Sequence, residues 1–272
     1  MRESRTRTLI IASALASILA PSFAGADEFR VCADPNNLPF SDQNGEGFEN
    51  KLARIVARDL GRSLSFTWWA QRRGFIRNTL KAGACDAVMG VPAGYELVET
   101  TAPYYRSSYV FVSRADRGLD VAWLSDPRLA SLRIGLHLVG DDGMNTPPAH
   151  ALGARGLVSN VVGYAIYGDY AEAAPALKLV QAVETGDVDI AAVWGPFAGY
   201  EAKRAQTPLH VEAIRGTNAY APLQFTFDIS MGVRKGDPAL KRRLDEIIYR
   251  RSAEIRRLLE SYGVPIVQDS AP

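Results

Sequence analysis

The side chains of this chain that could carry chemistry are few, and their spacing suits them poorly for it. His137, His150 and His210 are scattered, without the short steps that place two imidazoles on one metal. The loop Gly140-Asp141-Asp142-Gly143-Met144-Asn145 holds an Asp pair. It lacks the regular alternation and terminal Glu of a calcium loop, so it reads as a solvated loop. No Gly-x-Ser-x-Gly elbow, phosphate loop or dinucleotide fingerprint occurs. This pattern specifies no enzyme, and no metal or cofactor is expected on the chain.

Cys32 and Cys85 are the two cysteines. A disulfide needs Cα atoms within about 7 Å. The strand reading below sets Cys32 late in one strand and Cys85 at the start of a parallel neighbour, an offset too large for bridging. Two buried free thiols are therefore expected, with a bridge as the alternative.

Residues suited to binding are more plentiful. Trp68, Trp69, Tyr104, Tyr105 and Trp194 fall at or near expected strand ends, where rings line clefts and anchor interfaces. About half of them would simply pack the core. Arg72 and Arg73 could reach an anion or a partner's carboxylates at a cleft rim, although a solvated helix start suits them equally. Asp34, Asn36, Asn37 and Phe40 occupy the first strand-end loop, where Asp and Asn also bond their own backbone. Pro92 and His137 complete the set expected at the cleft. Arg242, Arg243, Arg250, Arg251, Arg256 and Arg257 alternate with acidic residues and mark a solvated helix face.

Residues 1–26 read as a cleavable export signal. Arg2, Arg5 and Arg7 precede an apolar run over 9–19, and Ala24-Gly25-Ala26 offers small residues for cleavage near Ala26. The run is shorter than the roughly 20 residues a membrane span needs, and no Cys follows to take a lipid anchor. A periplasmic chain without membrane anchor is expected. Removing the signal takes away three Arg and one Glu and moves the formal charge from +1 to −1, which argues against nucleic-acid binding. The remainder exceeds an average domain of about 100–150 residues, so one large domain or two lobes are expected. Its 47% hydrophobic content allows a substantial core.

The positioning elements follow from periodicity. A strand at 29–33 precedes a turn-rich loop, and Phe48, Leu52, Ile55, Val56 and Leu60 recur at helical spacing up to Gly61. Strand 64–69, a helix over 75–80 and an apolar strand at 86–91 follow, implying a parallel sheet with right-handed crossovers. A strand at 108–113 reads as the first crossing between lobes. The pattern restarts with strands at 132–136, 158–167 and 188–194 and helices near 149 and over 170–185. A returning strand at 224–233 leads to one long terminal helix opened by Asp237-Pro238. The fold class is α/β: two lobes, each a mostly parallel sheet flanked by helices, joined by two hinge segments. Lobe 1 takes 27–113 plus 219–272, and lobe 2 takes 114–218. Ligands in such sheets sit beyond the carboxyl ends of strands, here in a shared cleft.

With those elements in place, the chain resembles the periplasmic solute-binding proteins with the polar-amino-acid-receptor fold, the type II periplasmic binding fold. The likeness is carried by Arg30-Val31-Cys32-Ala33-Asp34-Pro35, Pro39-Phe40-Ser41 and Gly47-Phe48-Glu49. It continues in 81–90, in Thr101-Ala102-Pro103-Tyr104-Tyr105, in Arg133-Ile134-Gly135-Leu136 and in 184–193. A narrower resemblance is to the MoxJ/XoxJ group, binding-protein-like partners of periplasmic PQQ-dependent methanol dehydrogenases. It rests on Cys-Ala-Asp-Pro-Asn-Asn-Leu-Pro-Phe-Ser (32–41), Gly-Glu-Gly-Phe-Glu-Asn-Lys (45–51), Thr-Trp-Trp-Ala-Gln-Arg-Arg-Gly-Phe (67–75) and Cys-Asp-Ala-Val-Met-Gly-Val-Pro (85–92).

Departures from the amino-acid receptors agree with the narrower match. Their carboxylate-clamping Arg falls here near Gly94, and their ammonium-holding carboxylate falls at Trp194. A bidentate Arg pair is a strong contact and a desolvated ammonium needs a counter-charge, so a free amino acid suits this cleft poorly. The resemblance implies a non-catalytic protein that assists a methanol dehydrogenase in assembly, cofactor loading or activation. PQQ then belongs to the partner, and the partner's cytochrome c is a further candidate. The rivals are an importer receptor for a non-amino-acid solute and a periplasmic dehydratase of cyclohexadienyl acids. The latter needs a buried general acid and cleft arginines; Arg72 or Arg73 could serve, but no matching acid is evident.

Overall fold

In a computed structural model, residues 27–139, 145–166 and 171–268 are described. The export signal read at 1–26 and the Asp-pair loop through residue 144 lie outside them. The chain starts with strand β1 (Glu28–Ala33), a two-residue pair β2 (Asn36–Asn37) and β3 (Ser41–Asp42), and helix α1 (Phe48–Leu60). On α1, Phe48, Leu52, Val56 and Leu60 recur every fourth residue and are buried, which fixes the face turned to the sheet. Strand β4 (Ser63–Trp68), the short helix α2 (Phe75–Asn78), β5 (Ala87–Pro92) and β6 (Glu99–Arg114) follow.

The second lobe holds β7 (Ile134–Leu138), α3 (Pro147–Ala154), β8 (Val161–Ala165) and α4 (Lys178–Thr185). It continues with β9 (Ile190–Trp194), α5 (Gly195–Ala202) and β10 (Leu209–Ala213). Strand β11 (Thr226–Val233) then returns to the first lobe, and α6 (Pro238–Arg250) and α7 (Ser252–Ser261) cover it.

Among the described residues the strand order is β4-β1-β5-β11-β6-β9-β7-β8, with β10 also on β6. Strands β4, β1 and β5 are parallel, as are β9, β7 and β8; β11 and β6 run antiparallel to their neighbours. Each lobe is thus a mixed sheet with helices on both faces, the type II periplasmic binding fold.

Three features differ from the sequence reading. The crossing strand is longer than 108–113. It begins at Glu99, pairs with β11 through Ser108, and from Tyr109 pairs with β9 and β10. The change of partner therefore falls inside a strand, ahead of the boundary read at 113/114. Pro103 cannot donate to a ladder. It is accommodated where the β11–β6 register shifts, between Ile229 and Ser230.

The second difference is the thiols: Cys32 and Cys85 form a disulfide, with Cα atoms 5.5 Å apart. Cys85 precedes β5 and lies outside the strand. Thr67, the partner of Cys32 in the β1–β4 ladder, donates its hydroxyl to the Ala84 carbonyl, folding this segment over β1. The bond sits among Phe75, Ile76, Leu80, Val88 and Val98 on one face of the sheet.

Third, the terminal helix is two helices broken at Arg251, whose guanidinium pairs with Asp59 of α1 at 2.7 and 2.8 Å.

Candidate functional site

The site grows from the carboxyl end of β1. Asp34 is buried, and its carboxylate accepts the N–H of Asn36 (2.8 Å) and of Gln71 (2.6 Å). Those bonds tie the loop after β1 to the loop after β4. The carbonyls of Pro39 and Phe40 accept the N–H groups of Phe48 and Glu49 (2.8 and 2.9 Å). Two of the donors that a helix start leaves unpaired are thus satisfied by the loop itself. Asn50 accepts from Asp42 and Gly47 and completes the cap. This packing sets the Phe40 ring edge-on to Phe197 of the second lobe, 5.1 Å between centroids, and turns Glu49 towards the space between the lobes.

The result is a cavity of about 370 Å3. Asp34, Asn36, Asn37, Phe40, Glu49 and Gln71 form its wall nearest α1. Gly90, Val91, Pro92 and Tyr105 add the β5–β6 side, and Tyr109, Phe227 and Ile229 lie where the lobes join. Ile166, Pro175, Trp194 and Phe197 close it from the second lobe. The Trp194 ring packs on Tyr109 (5.4 Å) and Phe227 (5.7 Å) and touches both lobes' cores, as does Phe40.

Glu49 is the unusual member. Its carboxyl lies against Gly90, where an added Cβ would stand 2.1 Å from Oε1, so the absent side chain makes the space. Enclosure by protein, and then the charge of Asp34, push its pKa from 4.5 up to about 8. Burial first, then Glu49, also holds the phenols of Tyr104 and Tyr105 well above their ordinary value. Among the described lining residues there is no Lys, Arg or His. No group of three His, Cys, Asp or Glu among the described residues could hold a metal.

Of the residues expected at the cleft, Asp34, Asn36, Asn37, Phe40, Pro92, Tyr105 and Trp194 line this cavity. The others do not. Trp68 stacks on Phe66 at 4.9 Å, and Trp69 is 47% exposed. Arg72 and Arg73 are exposed on the turn after Gln71, the residue of that loop that reaches the cavity. Tyr104 alternates away from Tyr105 and donates its hydroxyl to the Met89 carbonyl (2.9 Å). His137 is buried behind Phe197, with Nε2 2.8 Å from the Ala176 carbonyl. Burial lowers its pKa to about 4, so the ring is neutral.

Sequence reasoning missed Glu49, Gln71, Tyr109, Phe197, Phe227 and Ile229. Phe227 and Ile229 stand two apart on β11, so their shared face was open to a period-two reading. Glu49 sits in the second helical position, where a solvated carboxylate is the ordinary reading.

Two facing α/β lobes with a cleft at their strand ends define a bilobal binding protein. The chain belongs to the bacterial extracellular solute-binding proteins, family 3, whose pattern matches residues 29–264. It is 32% identical over 254 residues to Protein MoxJ of Methylorubrum extorquens, covering 89% of this chain and 82% of that one. Protein MoxJ of Paracoccus denitrificans is 29% identical over 279 residues, covering 95% and 96%. The crystal structure of periplasmic binding protein XoxJ from Methylobacterium extorquens superposes with a TM-score of 0.73 at 36% identity, covering 89% of this chain and all of that one. This is a MoxJ/XoxJ-like binding protein. Among the described residues, no helix is long and apolar enough to cross a membrane.

Proposed function

We propose that this chain is a non-catalytic periplasmic partner of a PQQ-dependent methanol dehydrogenase, aiding its assembly, cofactor loading or activation. The observation that carries the reading is convergence. The four stretches that resemble the MoxJ/XoxJ group, 32–41, 45–51, 67–75 and 85–92, each send at least one side chain or backbone segment to the same cavity: Asp34 to Phe40, Glu49, Gln71, and Gly90 to Pro92. Family-specific wording gathered at one cleft is what a shared binding task requires. PQQ resides in the dehydrogenase and not in this chain, and the enzyme's cytochrome c is a second candidate partner.

The missing zwitterion clamp supports the same reading. Trp194 occupies the end of β9, and Gly94 stands on an open turn with no neighbour within 4 Å of an added Cβ. Glu49 supplies a buried acid, but a dehydratase of carboxylated substrates also needs cleft arginines, and the described lining holds none. The test is co-purification of mature protein with the methanol dehydrogenase of the same organism, alongside the yield of active enzyme with and without it. Association, or a gain in active enzyme, is expected. Neither one occurring overturns the reading.

A further inference from the structure

Glu49 is a carboxyl inside an apolar cavity with no hydrogen bond from any described residue. A half-buried carboxyl facing a largely apolar space without a hydrogen-bond partner is a costly feature. Its surroundings are complementary to a positive charge. Asp34 lies close enough to act on it electrostatically, and Glu49 in turn acts on the phenol of Tyr105 on β6, while Gly90 on β5 leaves the room its carboxyl occupies. The remaining walls present the rings of Tyr109, Trp194 and Phe227. Aromatic faces attract cations, most strongly where water is excluded.

We infer that the cleft takes a small organic ammonium ion with an apolar body and no carboxylate, its positive nitrogen seated beside Glu49. The described lining holds no Lys, Arg or His to pair with a ligand anion, and it leaves the Glu49 carboxyl for a cation. A cavity of about 370 Å3 lies at the lower end of the roughly 300–1,000 Å3 range of pockets that hold small organic ligands. The inference concerns the cleft's own ligand and stands whichever protein is the partner.

The cation also changes the proton inventory. Among the described residues, the groups facing Glu49 are Asp34 from the loop after β1 and Tyr104 and Tyr105 from β6. The phenols stay neutral throughout the neutral range, so the carboxyl of Glu49 is the one that must ionise to pair with the ligand. Below about pH 8, seating a permanent cation therefore expels a proton.

Calorimetric titration of mature protein with benzyltrimethylammonium, benzylamine, benzyl alcohol and benzoate tests this. Both cations are expected to bind at least tenfold more tightly than benzyl alcohol, and benzoate not at all. Glu49→Gln, checked for an intact melt, is expected to weaken the cations tenfold or more and to leave benzyl alcohol unchanged. On the unmutated protein, benzyltrimethylammonium affinity should rise from pH 6 to pH 8, with proton release, and level off above. Equal binding of alcohol and cation, a flat pH profile, or no cation binding at millimolar concentration overturns the inference.

Discussion

The side-chain oxygen of Asn36, on the first lobe, accepts the backbone N–H of Ala174, on the second, at 2.8 Å. The same carboxamide donates to the Glu172 carbonyl at 2.6 Å. One residue of the β1 loop therefore reads two backbone groups, two residues apart, of the opposite lobe, and does so with donor and acceptor both used.

Asn36→Leu removes that link while keeping volume. Each net hydrogen bond is worth about 0.5–1.5 kcal/mol, so the closed form should lose about 1–3 kcal/mol relative to the open one. Small-angle scattering should show a larger radius of gyration, with the α/β circular dichroism unchanged. An unaltered radius would mean that other contacts hold the lobes.

Those other contacts meet at α5. An added Cβ at Gly199 would lie 1.8 Å from the carbonyl oxygen of Gly263, and Lys203 caps the end of α7 through the Glu260 and Ser261 carbonyls (2.8 and 3.1 Å). Gly199→Ala forces two backbones apart, and overpacking of this kind costs about 1–3 kcal/mol. A lowered melting temperature is expected, together with loss of the near-parallel Tyr200–Tyr262 stack, now at 5.9 Å.

The Cys32–Cys85 bond closes a span of 53 residues. On the chain-entropy account a loop of that length contributes about 4 kcal/mol, by constraining the unfolded chain. The double substitution Cys32→Ser, Cys85→Ser should lower the urea midpoint strongly. Dithiothreitol should act on the wild type and have no effect on that variant.

Two groups with displaced pKa values, Glu49 and His137, give opposite pH signatures. The folded-state pKa of Glu49, about 8 against an ordinary 4.5, means the folded protein holds a proton that the unfolded chain releases between those values. Stability therefore falls as pH rises from about 4.5 to 8, and the gap between wild type and Glu49→Gln moves against the wild type over that window. His137 is lowered from 6.5 to about 4, so the unfolded chain takes up the proton first, and stability is lost as pH falls through that range. Urea unfolding at pH 4.5, 6, 7 and 8.5 for wild type, Glu49→Gln and His137→Gln separates the two.

Much of the scaffold was legible in the sequence because its signals are local. The four-residue rhythm of α1, the apolar run of β5 and the Asp237-Pro238 helix start each declare themselves within a few residues. The loop of Asp34, Asn36, Asn37 and Phe40 was legible for the same reason, since it follows the first strand of a parallel sheet. What escaped depends on distant partners. The bend that brings Cys85 over Cys32 is held by Thr67 and Ala84, and the break at Arg251 by Asp59. Neither pairing leaves a trace in periodicity. Glu49 escaped because its character comes from Gly90, 41 residues on: the missing Cβ that shelters the carboxyl is visible only once β5 lies beside α1.

Strand β6 belongs to both lobes, and its partners change between Ser108 and Tyr109. The joint of this molecule is consequently a plank and not a pin. A swing of one half twists that plank as well as the return crossing between β10 and β11, and the first residue beyond the change of partners, Tyr109, rests its ring on Trp194. The indole of Trp194 therefore sits where the angle between the halves is set, against rings on both sides of the joint.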